Sequence, residues 1–482
     1  MRNMLAGLLV ASLSVGCAAP LTVTPDRTSA RSNGTIQVAT DPPATAPLPD
    51  RPADGGPWVG AAGLSEFVLA GSSDTTLGVW VDVPSSAKQA LPSSAVALVV
   101  DTSGSMGGAK IQNARSAARA LVDKLADGDL AALYSFSDDV QERMPLTALS
   151  QSTRPSFVSA IASLAPNGST NLFEGIRSGE RAVFAAPSTH PVRRVIVLSD
   201  GQANVGPTSS EVLGALAARG EEHGIQVTAV GVGLDYDEHT LNALAMKSSG
   251  RLYHMSEPTE LTGILEQEMG LLKATAATGA FVEIVPAPGV QLLGADGVRS
   301  SSSEGGGIRV SLGSMFAGQH RELLVRVRVS AEADGSHPLA SVRLHFRDPS
   351  DGNLERVQET VARYSVTHDP AMIALHQNAR TREILAVNEA NQLADAAAAK
   401  ASKGDVDKAA QDLAKAEEKL LAQAKLAKDE SEKQRITASV TNITKARKAT
   451  EAAAAAPPAA RPKAARAASL EANQAMMRNE GY

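Results

Sequence analysis

Six consecutive apolar residues, Ala95 to Val100, run straight into Asp101-Thr102-Ser103-Gly104-Ser105-Met106. An uninterrupted apolar run of this length reads as a strand buried on both faces, which demands helices above and below it. The loop after it carries Asp101, Ser103 and Ser105 at alternate positions. Residues two apart in extended backbone point the same way, so one carboxylate and two hydroxyls converge on one point. Gly104 lets the backbone turn between the hydroxyls. A helical pattern follows Gly107 and Gly108 through Ile111, Ala114, Ala118, Leu121, Val122 and Leu125. Oxygen donors at the C-terminal end of a strand suit a hard cation such as Mg²⁺ rather than zinc. Open α/β sheets hold their ligands at that edge.

Two further segments follow in the same style. Asn167-Gly168-Ser169-Thr170-Asn171-Leu172 is a loop that opens a helix, and Val195-Ile196-Val197-Leu198-Ser199-Asp200-Gly201 is a second buried strand ending in Asp. Together with the first loop they resemble the von Willebrand factor type A domain and its metal-ion-dependent adhesion site, over residues 93–275. The resemblance implies a doubly wound, mostly parallel, Rossmann-like α/β sheet. It also implies hydroxyl ligands from Ser103, Ser105 and Thr170, with Asp101 and Asp200 acting partly through water. The ion would be Mg²⁺ (or Mn²⁺/Ca²⁺), and its open position would take the Asp or Glu carboxylate of a protein partner. Ser169 stands where many members of the family carry a second Gly.

The N-terminus has a basic start, Met1-Arg2-Asn3, an apolar run from Met4 to Val15, and then Gly16-Cys17-Ala18-Ala19. That is a secretory signal and too short to span a bilayer. Cys17 is the only cysteine of the 482 residues, so it has no partner for an intramolecular disulfide. The segment resembles a bacterial lipoprotein signal (residues 1–17), which implies lipidation at Cys17 and a cell-envelope location, at the outer membrane or cell surface. Ser14 departs from that pattern, where an aliphatic residue is usual. Residues 18–57, rich in Pro, Thr, Ala, Ser and Asp, read as a disordered tether reaching some ~35 Å.

Thr76 to Val83 alternates apolar and other residues as a half-buried antiparallel strand does. From residue 278 to 367 the same alternation recurs between Gly-, Ser- and Asp-rich turns, which predicts an antiparallel β-sandwich. The strands within residues 65–92 are expected to join it, which would make the α/β domain an insertion in sandwich sequence. Residues 369–449 are alanine-rich and charged with apolar residues at helical spacing, and Gly404-Asp405 interrupts them. A helical hairpin or small bundle is predicted there, and an Ala/Pro-rich linker and loose tail over residues 450–482.

The net charge of −6 gives no electrostatic case for nucleic acid, and 3% aromatic residues offer few stacking platforms. Nine scattered His residues show no metal-ligand spacing, and neither a Ser/His/Asp constellation nor a phosphate loop is evident. No catalytic residue is expected, and the leading expectation is a lipid-anchored binding protein. Two alternatives stand beside it. One is an envelope scaffold acting through its helical C-terminus, with a structural or vestigial metal site. The other is an aspartic-type hydrolase, since Asp101-Thr102-Ser103 superficially resembles an Asp-Thr-Gly turn. That chemistry needs two such turns sharing a proton, and Asp200-Gly201-Gln202 lacks the following hydroxyl.

Overall fold

The structure, a computed structural model, describes residues 58–85, 92–200, 202–233, 236–255, 261–296, 300–331, 333–428 and 430–481. The signal segment with Cys17 and the 18–57 tether lie outside the described residues. Three strands come first: β1 (Val59–Gly63), β2 (Phe67–Leu69) and β3 (Gly71–Asp82). Along β3, Leu77, Val79 and Val81 are fully buried, because a period of two sends them all to one face.

The chain then enters the α/β domain. Its elements are β4 (Ser94–Asp101), α1 (Ala109–Lys124), β5 (Leu130–Phe136), β6 (Val140–Ala148), α2 (Arg154–Ala162) and α3 (Leu172–Phe184), followed by β7 (Val192–Ser199), α4 (Ser210–Glu222), β8 (Ile225–Val232), α5 (Glu238–Lys247), β9 (Arg251–Met255) and α6 (Leu261–Lys273). The sheet order is β6-β5-β4-β7-β8-β9, parallel throughout except for β6. Every residue of β4 is buried. Val96, Leu98 and Val100 enter one core with Ile111, Leu121 and Phe157. Ala95, Ala97 and Val99 enter the other with Ile176, Leu213 and Leu241. The apolar run is therefore continuous because two helical layers divide it between them. Sequence reading overlooked β6. It is a half-exposed edge strand with Pro145 inside it, tolerated only because an edge need not donate every N–H.

The third stretch returns to sandwich strands: β10 (Thr275–Pro286), β11 (Val290–Asp296), β12 (Ser300–Ser302), β13 (Ile308–Phe316), β14 (His320–Ala331), β15 (Ser336–Asp348) and β16 (Leu354–Thr367). One sheet runs β1-β3-β14-β11 and the other β12-β13-β10-β15-β16-β2. β3 pairs with β14 from Gly71 opposite Ala331 to Asp82 opposite His320, so residues before and after the α/β domain share one sheet. Leu77, Val79, Val282, Val325 and Leu344 close the core between the sheets. β11 and β12 fall where sequence reading had only turns; both lie at sheet edges, and β12 is three exposed serines.

The helices α7 (Pro370–Leu375), α8 (Ala379–Ser402), α9 (Val406–Ala424), α10 (Glu430–Ala454) and α11 (Arg461–Asn479) complete the fold. Here the expectation for residues 450–482 is corrected: α10 runs into that segment and α11 fills most of the rest. Alanine is the best helix former, and Pro462 sits in the first turn, where a missing N–H costs nothing. α11 packs on α8 and α10, and α9 on the same two helices, which makes a four-helix bundle. Ala472 and Ala475 face the bundle, while Leu470 and Met477 belong to the α/β core that holds Leu241. On the sandwich side Arg380 of α8 pairs with Glu322 at 2.6 Å, and the Thr381 hydroxyl donates to the Ala62 carbonyl at 3.0 Å.

Candidate metal and partner-binding site

The site lies at the C-terminal ends of β4 and β7, the central strands of the parallel sheet. Asp101 ends β4 and is fully buried. Its Oδ1 accepts the Ser103 N–H at 2.8 Å and its Oδ2 accepts the Ser199 hydroxyl at 2.5 Å. The Oγ atoms of Ser103 and Ser105 lie 3.0 Å apart, as alternate positions in this loop should. The Met106 side chain is buried and plugs the turn Gly104–Met106 into the core.

Backbone hydrogen bonds draw the second loop against the first. Asn167 N–H donates to the Thr102 carbonyl at 2.7 Å and Gly104 N–H to the Gly168 carbonyl at 2.9 Å. Asp138 supports this loop by accepting the Ser169 N–H at 3.0 Å. Gly168 has φ +73°, and a Cβ there would stand 2.1 Å from Asp138 Oδ2, so this position needs glycine on two counts. Ser169, where the family pattern has a second glycine, meets Asp138 through its backbone N–H, a bond that a glycine would make equally. Thr170 is buried, and its N–H donates to Asn204 Oδ1 at 2.7 Å. Asn171 caps α3 by accepting the Glu174 N–H.

Asp200 follows β7 and is 1% exposed. Its carbonyl accepts the Asp237 N–H at 2.9 Å, its Oδ2 meets Lys110 Nζ at 3.0 Å, and its buried Oδ1 has no hydrogen-bond partner among the described residues. Burial, together with the charge of Asp200 nearby, pushes the Asp101 carboxyl up to about 6 against the opposing hydrogen bonds from Ser103 and Ser199. Of the two carboxylates, Asp200 is the one that meets the Lys110 ammonium. Asp101, Ser103, Ser105 and Asp200 are linked directly or through one neighbour. Thr170 joins them through its loop and hydrogen-bonds none of the other four among the described residues.

Sequence reading missed Ser199, Lys110, Asp138 and Asn204. Ser199 was signalled only by preceding Asp200, and the others act across loops that no local pattern connects. Among the described residues no three His, Cys, Asp or Glu side chains gather as a metal site. The set here is of another kind, two carboxylates with hydroxyls, and such oxygen donors fit a hard divalent ion.

Residues 95–267 match the family model of the von Willebrand factor type A domain. The chain carries a von Willebrand factor type A domain. Over 274 residues it is 25% identical to an uncharacterized protein, sll0103, of Synechocystis sp., covering 54% of this chain and 63% of that one. Over 256 residues it is 24% identical to the E3 ubiquitin-protein ligase WAV3 of Arabidopsis thaliana, covering 52% of this chain and 33% of that one. The chain thus spans less than two thirds of the length of each of these curated relatives. The solved structure of a von Willebrand factor type A protein from Catenulispora acidiphila superposes with a TM-score of 0.63 at 16% identity, covering 81% of this chain and 90% of that one. That likeness is one of fold, and it extends well beyond the von Willebrand domain alone.

Proposed function

We propose that this protein captures a protein partner through a divalent cation, Mg²⁺ (or Mn²⁺/Ca²⁺), held by Asp101, Ser103, Ser105, Thr170 and Asp200. Von Willebrand A domains typically mediate protein–protein interaction. The observation that carries the finer reading is Asp200 Oδ1: a buried carboxylate oxygen with no partner among the described residues, beside a second buried carboxylate. Such an oxygen is costly unless something positively charged completes it. Two carboxylates balance a dication's charge, and neutral hydroxyls leave it electron-poor; when bound, the ion supplies a coordination position for a carboxylate from the partner. The chain's own residues fix that position, since Ser199 and the Ser103 N–H hold Asp101 and Asn204 holds the Thr170 loop.

The arrangement does not favour an aspartic-type hydrolase. Asp101 is held by Ser199 and Asp200 by Lys110, whereas two carboxylates sharing one proton must lie against each other. For location we propose attachment to the bacterial envelope through a lipid on Cys17, at the outer membrane or cell surface. No helix among the described residues is long and apolar enough to cross a membrane.

The test is titration of an acidic surrogate peptide against the full chain, Thr170→Ala and Asp101→Asn, in Mg²⁺ and in EDTA. A gain in affinity on adding Mg²⁺ that shrinks in Thr170→Ala and is absent in Asp101→Asn is expected. Equal binding in all of these conditions would remove the cation from the reading.

A further inference from the structure

The loop after β8 touches the Asp200 loop and forms part of the wall of a second feature. Asp237, which donates to the Asp200 carbonyl, follows Tyr236, and Tyr236 lines a cavity of about 900 Å³ between the α/β domain and the helical bundle. Lys403 and Gly404 of the turn between α8 and α9 line it from one side, and Arg461, Lys463 and Arg466 of α11 from another. Four cations thus converge on one concavity with no carboxylate in its lining. Arg466 is partly neutralised by Glu238 at 3.5 Å. Lys403, Arg461 and Lys463 are exposed and make no ion pair among the described residues. α11 begins here with no side-chain cap and no acidic residue in its first turn, so no carboxylate of its own offsets the positive end of its dipole.

One of the four cations is held in a fixed position. Tyr236 is 2% exposed, and its hydroxyl has no hydrogen-bond partner among the described residues; neither does the buried Nε of Arg466. The Arg466 guanidinium lies over the Tyr236 ring at 5.5 Å and donates to the Tyr236 carbonyl at 2.7 Å. The ring in turn packs over Gly231, where a Cβ would come within 2.6 Å of it. Arg466 is therefore held in place by the α/β domain, at the wall of the cavity.

We infer that this cavity receives an acidic peptide segment of the partner, a second anchor beside the cation site; the inference rests on the cation reading for the source of that segment. A carboxylate-bearing peptide suits both places, since Asp237, which follows Tyr236 of the cavity wall, hydrogen-bonds the Asp200 carbonyl of the cation site. The cations attract it at long range, and the concave walls select an extended chain over a flat anionic surface. In a chain of net charge −6 the sign of this cavity is a local exception.

The experiment is fluorescence anisotropy of a labelled oligoglutamate peptide titrated with the full chain and with the double variant Arg461→Glu, Lys463→Glu, each in Mg²⁺ and in EDTA. Both positions are exposed, and circular dichroism verifies that the variant keeps its fold. The expected result is a loss of roughly tenfold in affinity in the double variant, in EDTA as in Mg²⁺, with weaker binding at high salt. An unchanged affinity overturns the inference. So does binding of the chain to phosphatidylglycerol vesicles, sensitive to the same charge reversals, without binding of the peptide. The difference between Mg²⁺ and EDTA for the parent chain reads the cation site separately, so either reading can fail alone.

Discussion

At the scale of single residues the site turns on Lys110. Its ammonium lies 3.0 Å from Asp200 Oδ2, and its stem rests against Gly233, where a Cβ would come within 3.1 Å of the Lys Cε. An ammonium so held is a built-in counter-charge for the metal-free protein, and one that a divalent ion must oppose. Lys110→Met is therefore expected to lower the melting temperature without metal, by leaving the buried Asp200 carboxylate without its counter-charge, and to enlarge the rise on adding Mg²⁺. Thermal shift with and without Mg²⁺ checks it; unchanged melting in both states would count against the counter-charge role. Gly168→Ala is the companion prediction. Its Cβ would meet Asp138 and its φ is positive, so the variant should lose Mg²⁺ stabilisation while the sheet's circular dichroism is kept. Asp101, Ser103 and Ser105 were legible in sequence because alternation alone puts them on one side of one loop. Lys110, Ser199 and Asp138 were not, because each meets its partner only across the folded sheet edge.

At the scale of elements, β4 and the apolar run that announced it are the same thing seen twice: a strand shared by two cores. The helices around it carry a less visible polar feature. Glu180 of α3 is buried against Gly220 of α4, where a Cβ would stand 2.5 Å from its Oε1, and that oxygen has no hydrogen-bond partner among the described residues. Burial pushes its carboxyl up to about 8, opposed by Arg219. A raised carboxyl is protonated in the folded state, so its contribution to stability is full below the unfolded value of 4.5 and is lost as pH rises towards 8. Glu180→Gln should flatten that decline and exceed the parent in stability at pH 8. Denaturant unfolding of both proteins across that range is the check, and parallel curves would contradict it. The elements that sequence reading misjudged share a cause. β6, β11 and β12 are edges with weak alternation, and α11 hides its buried face in alanines that read equally well as a linker.

At the scale of the molecule, the von Willebrand domain is tied to the rest at both flanks by β3 with β14 and across its surface by α11. α11 serves two cores at once, so the helical region is no detachable tail. Leu470, 6% exposed, should report this: Leu470→Ala is expected to cost roughly 2–3 kcal/mol and to raise hydrogen exchange in α5, which shares its core. Exchange unchanged in α5 would mean that α11 contributes only to the bundle. The order of layers, an α/β domain between sandwich strands followed by helices, was readable from switches in periodicity. The joint between bundle and α/β domain was not, since nothing in the local pattern of α11 separates its two buried faces.

The cation remains the pivot of the functional reading, and calorimetric titration of Mg²⁺ into the full chain and into Asp101→Asn addresses it most directly. Asp101→Asn keeps the size of the buried side chain while removing its charge. Saturable binding to the parent and none to the variant is the expected result. Absence of binding to the parent, or equal affinity in both, would contradict a cation site at the ends of β4 and β7.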